Sequence, residues 1–237
     1  MSDTLARTRV ARVLPVDAVL FDLDGTLADT APDLGAALNR VRQSRGLDPV
    51  PLSKLRSSAS HGARGMLGVG MGITPEHPDY EVLRKAFLAE YERALCVDTT
   101  LFAEVSRLLD AIDARSLRWG IVTNKTTRYT TPLLAMLAID RRAGVVVCGD
   151  TTPHAKPHPA PLLAAAESLG IAPARCVYVG DAERDVTAGI AAGMHTIIAR
   201  YGYIDAHDAS ESWPADGTID DAGALLAWLP GATSATS

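Results

Sequence analysis

The chain is poor in cysteine and in aromatic residues, with three cysteines and 5% Phe, Trp and Tyr among 237 residues. Cys96, Cys148 and Cys176 show no metal-ligand spacing, and an odd count argues against a disulfide framework. Each reads as a small apolar residue of the interior, in a protein of a reducing compartment and therefore a cytoplasmic one. No apolar run approaches the roughly 18 residues of a membrane span, so no membrane partner is expected. Excess positive charge is lacking too. The net charge of −5 excludes a general nucleic-acid-binding surface. The start, "MSDTLARTRVARVLP", carries Arg7, Arg9 and Arg12 but no apolar h-region, so it does not read as a signal peptide. Residues 1–14 and the small, polar end at 231–237 are expected to be flexible.

What is present is the pattern of a layered α/β protein. Five short apolar runs rich in β-branched residues, at 16–21, 118–123, 143–149, 175–180 and 194–199, read as buried strands of a parallel sheet. Helical stripes separate the later runs: Val105, Leu108, Leu109 and Ile112; Leu133, Leu134 and Leu137; Leu162, Leu163, Ala166 and Leu169. Strands alternating with helices predict a Rossmann-like sheet with helices on both faces. Nearly a hundred residues between the first and second strands hold no convincing strand. Helical signals fill that gap, with Leu34, Leu38 and Val41 between Pro32 and Gly46, then Val82, Leu83, Ala86, Phe87 and Tyr91 after Pro78 and Asp79. The predicted division is a discontinuous core of 15–32 and 99–230 carrying a helical insertion at 33–98. The insertion leaves the core just past an acidic pair, so it is placed to close over that pair.

That pair, Asp22 and Asp24 in "FDLDGTLADT", ends the first strand, and carboxylates held so close repel each other. Ligands of open parallel sheets bind beyond the carboxyl ends of the strands. There the second strand delivers Thr123 and Asn124, the loop after the third delivers Lys156, and the fourth delivers Asp181 and Asp185. Four carboxylates at one edge need cations. Oxygen-only ligands suit Mg²⁺, which takes one or two carboxylates together with waters and substrate phosphate. Lys156 adds one fixed charge, and a phosphate fits between metal, lysine, Thr123 and backbone amides. One carboxylate of such a pair can act as nucleophile and its neighbour as acid and base.

"DLDGT", "VTN", "KP" and "GDAERD", in this order, resemble the four motifs of the haloacid dehalogenase superfamily, and the likeness spans residues 16–200. The resemblance implies Asp22 as nucleophile, Asp24 as acid/base, and Thr123 and Asn124 as phosphate ligands, with Lys156 orienting Asp22 and the phosphate. It also implies Mg²⁺ held by Asp22, the backbone carbonyl of Asp24, and Asp181, with Asp185 either on the ion or just behind it. The insertion resembles that superfamily's α-helical cap. The dehalogenase branch lacks the second aspartate, so Asp24 points to a phosphatase, acting on a small phosphorylated metabolite as a monomer or homodimer. "TNK", "KPHPAPLL" and "YGYI" resemble the phosphoglycolate phosphatase group. "WGIVTNK" and "RYGYIDAHDASESW" are at least as similar to N-acetylmuramic acid 6-phosphate phosphatases.

Each motif has a plainer reading. The Asp22/Asp24 segment alone could be a solvated turn, and Leu27 stands where a calcium loop starting D-x-D needs glycine. Thr123 and Asn124 could cap the helix that follows, Lys156 could be a surface lysine, and Asp185 could cap its own helix. The stretch 62–72 is glycine-rich but follows no strand and lacks a GK[ST] ending, so it reads as a flexible cap loop. His61 and Arg64, in "SASHGARG", are either exposed loop residues or substrate contacts, and Lys125 is a further candidate to face the pocket. His154 and His158 flank prolines and do not read as a metal site. A phospho-receiver domain would use similar chemistry at about half the length and without a cap. A sugar phosphomutase would share all four motifs and the cap.

Overall fold

The computed structural model describes residues 12–205 and 207–231. Most of the two termini expected to be flexible therefore lies outside the described residues. Leu14, inside that expectation, is in fact fixed: its side chain is buried and its N–H donates to the Trp228 carbonyl at 2.8 Å.

In chain order the strands are β1 (Ala18–Phe21), β2 (Ala28–Asp29), β3 (Thr100–Leu101), β4 (Arg118–Val122), β5 (Val146–Val147), β6 (Cys176–Gly180), β7 (His195–Ala199) and β8 (Gly217–Ile219). Six of them form one parallel sheet in the order β5-β4-β1-β6-β7-β8. The edge strand β8 was not expected. Three residues beside a polar stretch carry too little periodicity to announce a strand. β1 sits between β4 and β6, with Phe21 level with Ile121 on one side and Val179 on the other. That register brings the ends of all three strands to one point. Strand order reverses there, so the crevice opens at the end of β1.

The helices are α1 (Ala31–Gln43), α2 (Leu52–Leu55), α3 (Gly62–Met71), α4 (Tyr80–Arg93), α5 (Val105–Ala114), α6 (Thr127–Met136), α7 (Ala160–Leu169) and α8 (Glu183–Ala191). Alternation along β1 sorts the core into two layers. Val19 and Phe21 pack with Val105, Leu108, Leu109 and Ile112 of α5, and Phe21 meets Trp119 edge-on at 6.5 Å. Ala18 and Leu20 pack with Leu162, Ala165 and Ala166 of α7. Leu163, expected in that stripe, is instead exposed, and Ala165 takes its place. Val82 of α4 is likewise exposed, while Tyr80, Leu83, Phe87 and Tyr91 form the buried face.

The insertion holds α1 to α4 and enters and leaves through an unexpected two-stranded stem. β2 and β3 pair antiparallel, Ala28 opposite Leu101 and Asp29 opposite Thr100. The glycine-rich stretch is helix α3, not a loop, and "SASHGARG" is a 3₁₀ turn (Arg56–His61) running into it. Glycine disfavours a helix interior, but packing overrides propensity here. A Cβ at Gly70 would lie 2.2 Å from Leu38 Cδ2 of α1, so the missing side chain lets the two helices touch.

The two α-helical leucines differ in what their removal should cost. Leu108→Ala empties a fully packed site and should destabilise the protein by about 2–5 kcal/mol. Leu163→Ala, at an exposed site, should stay within about 0.5 kcal/mol of wild type. Urea unfolding measures both, and equal losses would refute the layer assignment.

Candidate active site

Asp22 follows the last residue of β1, and its N–H donates to the Val179 carbonyl at 2.9 Å, which fixes its backbone against β6. Its side chain is buried. Oδ1 accepts from the Leu23 N–H at 2.7 Å and faces Lys156 Nζ at 3.0 Å. Among the described residues Oδ2 has no hydrogen bond, and the nearest cation is Arg184 Nη2 at 4.0 Å. Burial pushes the Asp22 carboxyl up, Lys156 opposes this, and the charge of Asp185 adds to it.

The chain then turns at Gly25, where φ is +90° and a Cβ would collide with Asp181 Oδ2 at 2.1 Å. Only glycine fits. The turn directs Asp24 away from Asp22. Oδ1 of Asp24 accepts from Thr30 Oγ1 at 2.6 Å and from Lys125 Nζ at 2.7 Å. Lys125 therefore faces the pocket, nine-tenths or more buried and 4.9 Å above the Tyr91 ring. Burial alone would lower its pKa, but Asp24 and Tyr91 raise it above the ordinary value, so it stays charged.

Asp181 and Asp185 flank the start of α8. Carboxylate oxygens of Asp22, Asp181 and Asp185 lie within 4.8 Å of one another. The Asp24 carboxyl is outside that group. Asp181 Oδ2 accepts from the Tyr203 N–H at 2.8 Å and from Ser60 Oγ at 3.0 Å, and Oδ1 accepts from Thr26 Oγ1 at 3.2 Å. Burial, then the charges of Asp22 and Asp185, push Asp181 up to about 7. Asp185 does cap its helix, Oδ2 accepting from the Ala182 N–H at 3.0 Å, while Oδ1 pairs with Lys156 Nζ at 2.8 Å.

Thr123 is buried at the end of β4, and its hydroxyl accepts from the Lys125 N–H at 3.1 Å. It does not cap α6, whose N-cap is Thr126. Asn124 lines the cavity over the site, and its side chain also bonds to the Lys156 backbone. It donates to the Lys156 carbonyl at 2.9 Å and accepts from the Lys156 N–H at 3.0 Å, clamping that loop. Lys156 is no surface lysine, since its side chain is 0% exposed.

A cavity of about 780 Å³ lies over these groups, floored by Asp22, Asp24, Thr123 and Lys125 and roofed by residues 59–64 and α4. His61 and Arg64 both line it. Arg64 is exposed and carries no ion pair among the described residues. Burial, then Arg184, lowers the pKa of His61, leaving it neutral near pH 7. The imidazoles of His154 and His158 lie against each other at 4.4 Å, tilted by 35°, and neither belongs to the carboxylate cluster.

Several residues of the site carry no motif. Tyr203 hydroxyl accepts from the Ala31 N–H and donates to Asp29 Oδ1, both at 2.8 Å, and Arg56 pairs with the other oxygen of Asp29 at 2.8 Å. These contacts join the stem, the first helix of the insertion and the Asp181 loop. With Tyr178, Arg184 and Ser60, Tyr203 is meaningful only through partners distant in sequence. "YGYI" was the one visible sign of it.

Comparison with known proteins agrees with this geometry. The model of the haloacid dehalogenase-like hydrolase family matches residues 19–199. An N-acetylmuramic acid 6-phosphate phosphatase of Pseudomonas aeruginosa is 41% identical over 203 residues, covering 86% of this chain and 90% of that protein. A phosphoglycolate phosphatase of Xanthomonas campestris pv. campestris is 42% identical over 218 residues, covering 91% and 96%. Among solved structures, that of a predicted phosphoglycolate phosphatase from Haemophilus somnus 129pt aligns with a TM-score of 0.79 at 26% identity, over 91% of this chain and 98% of that one. With its parallel sheet, inserted helical cap and acidic crevice at the end of β1, the chain is an enzyme of the haloacid dehalogenase-like hydrolase family.

Proposed function

We propose that the chain is a Mg²⁺-dependent phosphatase that hydrolyses a small phosphomonoester in two steps, with Asp22 as the nucleophile. The observation that carries this reading is the asymmetry of the Asp22 carboxylate. One oxygen is fixed by Leu23 and Lys156, and the other has no hydrogen bond among the described residues, in a residue that lines the cavity. A carboxylate so held presents one oxygen to a phosphorus atom. Lys156 and Thr123 stand where charge develops on the phosphoryl oxygens. Asp24, held through a single oxygen by Thr30 and Lys125, is a short distance along the chain from Asp22. With a proton on its other oxygen it protonates the leaving group, and as the resulting carboxylate it takes a proton back from the water that opens the aspartyl-phosphate. Asn124 serves by fixing Lys156.

The donor set fits Mg²⁺. Three buried carboxylates face one another with Lys156 and Arg184 as their nearby cations, and Asp181 is forced to hold a proton where a cation would release it. Asp22, Asp181 and the Asp24 carbonyl would hold the ion, with Asp185 behind them because both of its oxygens already have partners. The ion would supply positive charge against the transferring phosphoryl group. The insertion, residues 33–98, acts as the cap that closes over the site and excludes water.

For the substrate, the leading reading is phosphoglycolate, the activity after which several relatives are named. The second reading, N-acetylmuramic acid 6-phosphate, is favoured by the cavity, because about 780 Å³ is ample for an amino sugar. Both carry a carboxylate, and Arg64 on the roof is free to grip one in a fork-like pair.

Three outcomes follow. Asp22→Asn should abolish the acid-stable, hydroxylamine-labile phosphoenzyme seen by rapid quench. Asp24→Asn should still form it and slow both steps by roughly 10²–10⁴-fold. Labelling of Asp22→Asn would overturn the assignment.

The second concerns pH. Without a divalent cation, Asp181 keeps its proton to about 7 when folded, against 3.8 as its ordinary value. The folded chain then binds more protons than the unfolded one, so this contribution to stability is lost as pH rises from about 4 to about 7. The melting temperature measured against Asp181→Asn should show that loss, and saturating Mg²⁺ should reverse it. Ca²⁺, larger and less strict in geometry, should bind without supporting turnover. Parallel melting curves for wild type and variant would refute the assignment.

Third, Arg64→Ala should cost about 1.5–3 kcal/mol in kcat/KM on the carboxylate substrates. It should spare p-nitrophenyl phosphate, which has no carboxylate. Steady-state kinetics on all three compounds decides, and equal losses would mean that Arg64 supports the fold.

A further inference from the structure

One buried cation of the site is outside the chemistry assigned above. Arg184 stands in the first turn of α8, between Asp181 and Asp185, with 18% of its side chain exposed. Nη2 donates to the Ser60 carbonyl at 2.8 Å and stops 4.0 Å short of Asp22 Oδ2. This is the carboxylate oxygen opposite the one that Lys156 holds. Nε of Arg184 is buried without a hydrogen-bond partner among the described residues. An unmet buried donor is costly, and here it belongs to a guanidinium close enough to feel the charges of Asp185, Asp22 and Asp181. Some constraint holds the guanidinium off them.

Ser60 is that constraint. It belongs to the insertion, in the 3₁₀ turn that also carries His61 (Arg56–His61). Its carbonyl accepts from Arg184, and its hydroxyl donates to Asp181 at 3.0 Å. One cap residue thus touches two residues of the catalytic loop. A cation that merely offset the acidic cluster would form a direct ion pair, as Lys156 does at 2.8 Å and 3.0 Å.

We infer that Arg184 is a positioning residue that couples cap closure to the nucleophile. With Ser60 in place, the guanidinium is tethered beside Asp22 Oδ2 and leaves room there for a phosphoryl group. With the cap swung away, the tether is gone and Arg184 is free to collapse onto the carboxylates, quenching Asp22. The inference rests on the phosphatase reading for its kinetic consequence and on the Ser60 contact for its conformational one.

The test uses the full chain with Arg184→Ala and Arg184→Lys. The lysine keeps the charge but lacks the planar guanidinium that carries Nη2 to the Ser60 carbonyl. On phosphoglycolate and on p-nitrophenyl phosphate, Arg184→Ala should lower kcat by roughly 10- to 100-fold, the range of a lost hydrogen bond to a charged group. KM should change little, and Arg184→Lys should fall between alanine and wild type. Amide hydrogen exchange supplies a readout that a merely structural role would not move. Residues 56–64 should exchange faster in Arg184→Ala than in wild type, and should no longer gain protection from Mg²⁺ with orthovanadate. The core strands should exchange as in wild type. Wild-type protection of 56–64 in the variants, or an unchanged kcat, would overturn the inference. Loss of protection throughout the core would too, because it would make Arg184 a fold residue. If wild type itself releases no phosphate, the phosphatase reading fails, while the ligand-free exchange of 56–64 still decides whether the tether exists.

Discussion

The site depends on one buried ammonium group. Lys156 Nζ lies within 3.0 Å of Asp22 and Asp185 and is hydrogen-bonded to the Val122 carbonyl at 2.9 Å and the Tyr178 hydroxyl at 2.6 Å. A carboxylate cannot stay ionised in an apolar interior without a partner. Two carboxylates and a lysine brought together at the end of a buried sheet satisfy one another only if the lysine is held still. That rigidity comes from elsewhere: the Asn124 amide clamps the Lys156 backbone from both sides, and the Tyr178 hydroxyl, which donates to Val122 at 2.8 Å, is locked in the second core layer. Packing of the sheet is thereby translated into the orientation of a single carboxylate.

The cost left over is the third acid. Lys156 does not reach Asp181 among the described contacts, and its neighbours supply hydrogen bonds but little charge. Tyr203, Thr26 and Ser60 stabilise its oxygens without neutralising them. Once a cation displaces the Asp181 proton, the floor carries a further negative charge beneath a basic residue, Arg64, in the roof. Such a field favours a divalent cation below and an anionic substrate above. The cap takes part in both, since Ser60 touches the floor and Arg64 faces the cavity from the same short segment.

Much of this was legible in the sequence, for definite reasons. Buried parallel strands read as apolar runs, and the acids at their ends stand out because an apolar run seldom ends in two charges. Asp22, Asp24, Asp181 and Asp185 stand out in that way, and Lys156 by its place in the loop after a strand. Helix α3 was missed because its glycines argue against a helix, and their use, close approach to Leu38, is a property of packing. The stem β2/β3 and the edge strand β8 are too short to show a period. The exposure of Leu163 and Val82 shows that a stripe's phase is set by the neighbouring element, not by hydrophobicity alone. Arg184 and Tyr203 lie inside the quoted stretches "GDAERD" and "YGYI", but their contacts, like those of Ser60, gave no local signal because the partners lie 22 to 174 positions away.

The central claim is that the Asp22 carboxylate, braced by Lys156, is the group on which phosphate is carried. A crystal structure grown with Mg²⁺ and fluoroberyllate tests it most directly, because beryllium trifluoride mimics a phosphoryl group on a carboxylate. The account predicts beryllium bonded to an Asp22 oxygen, fluorine atoms within hydrogen-bond reach of Lys156 and Thr123, and the ion on Asp22 and Asp181. Beryllium on Asp24, or an empty carboxylate at Asp22 under saturating conditions, would contradict it.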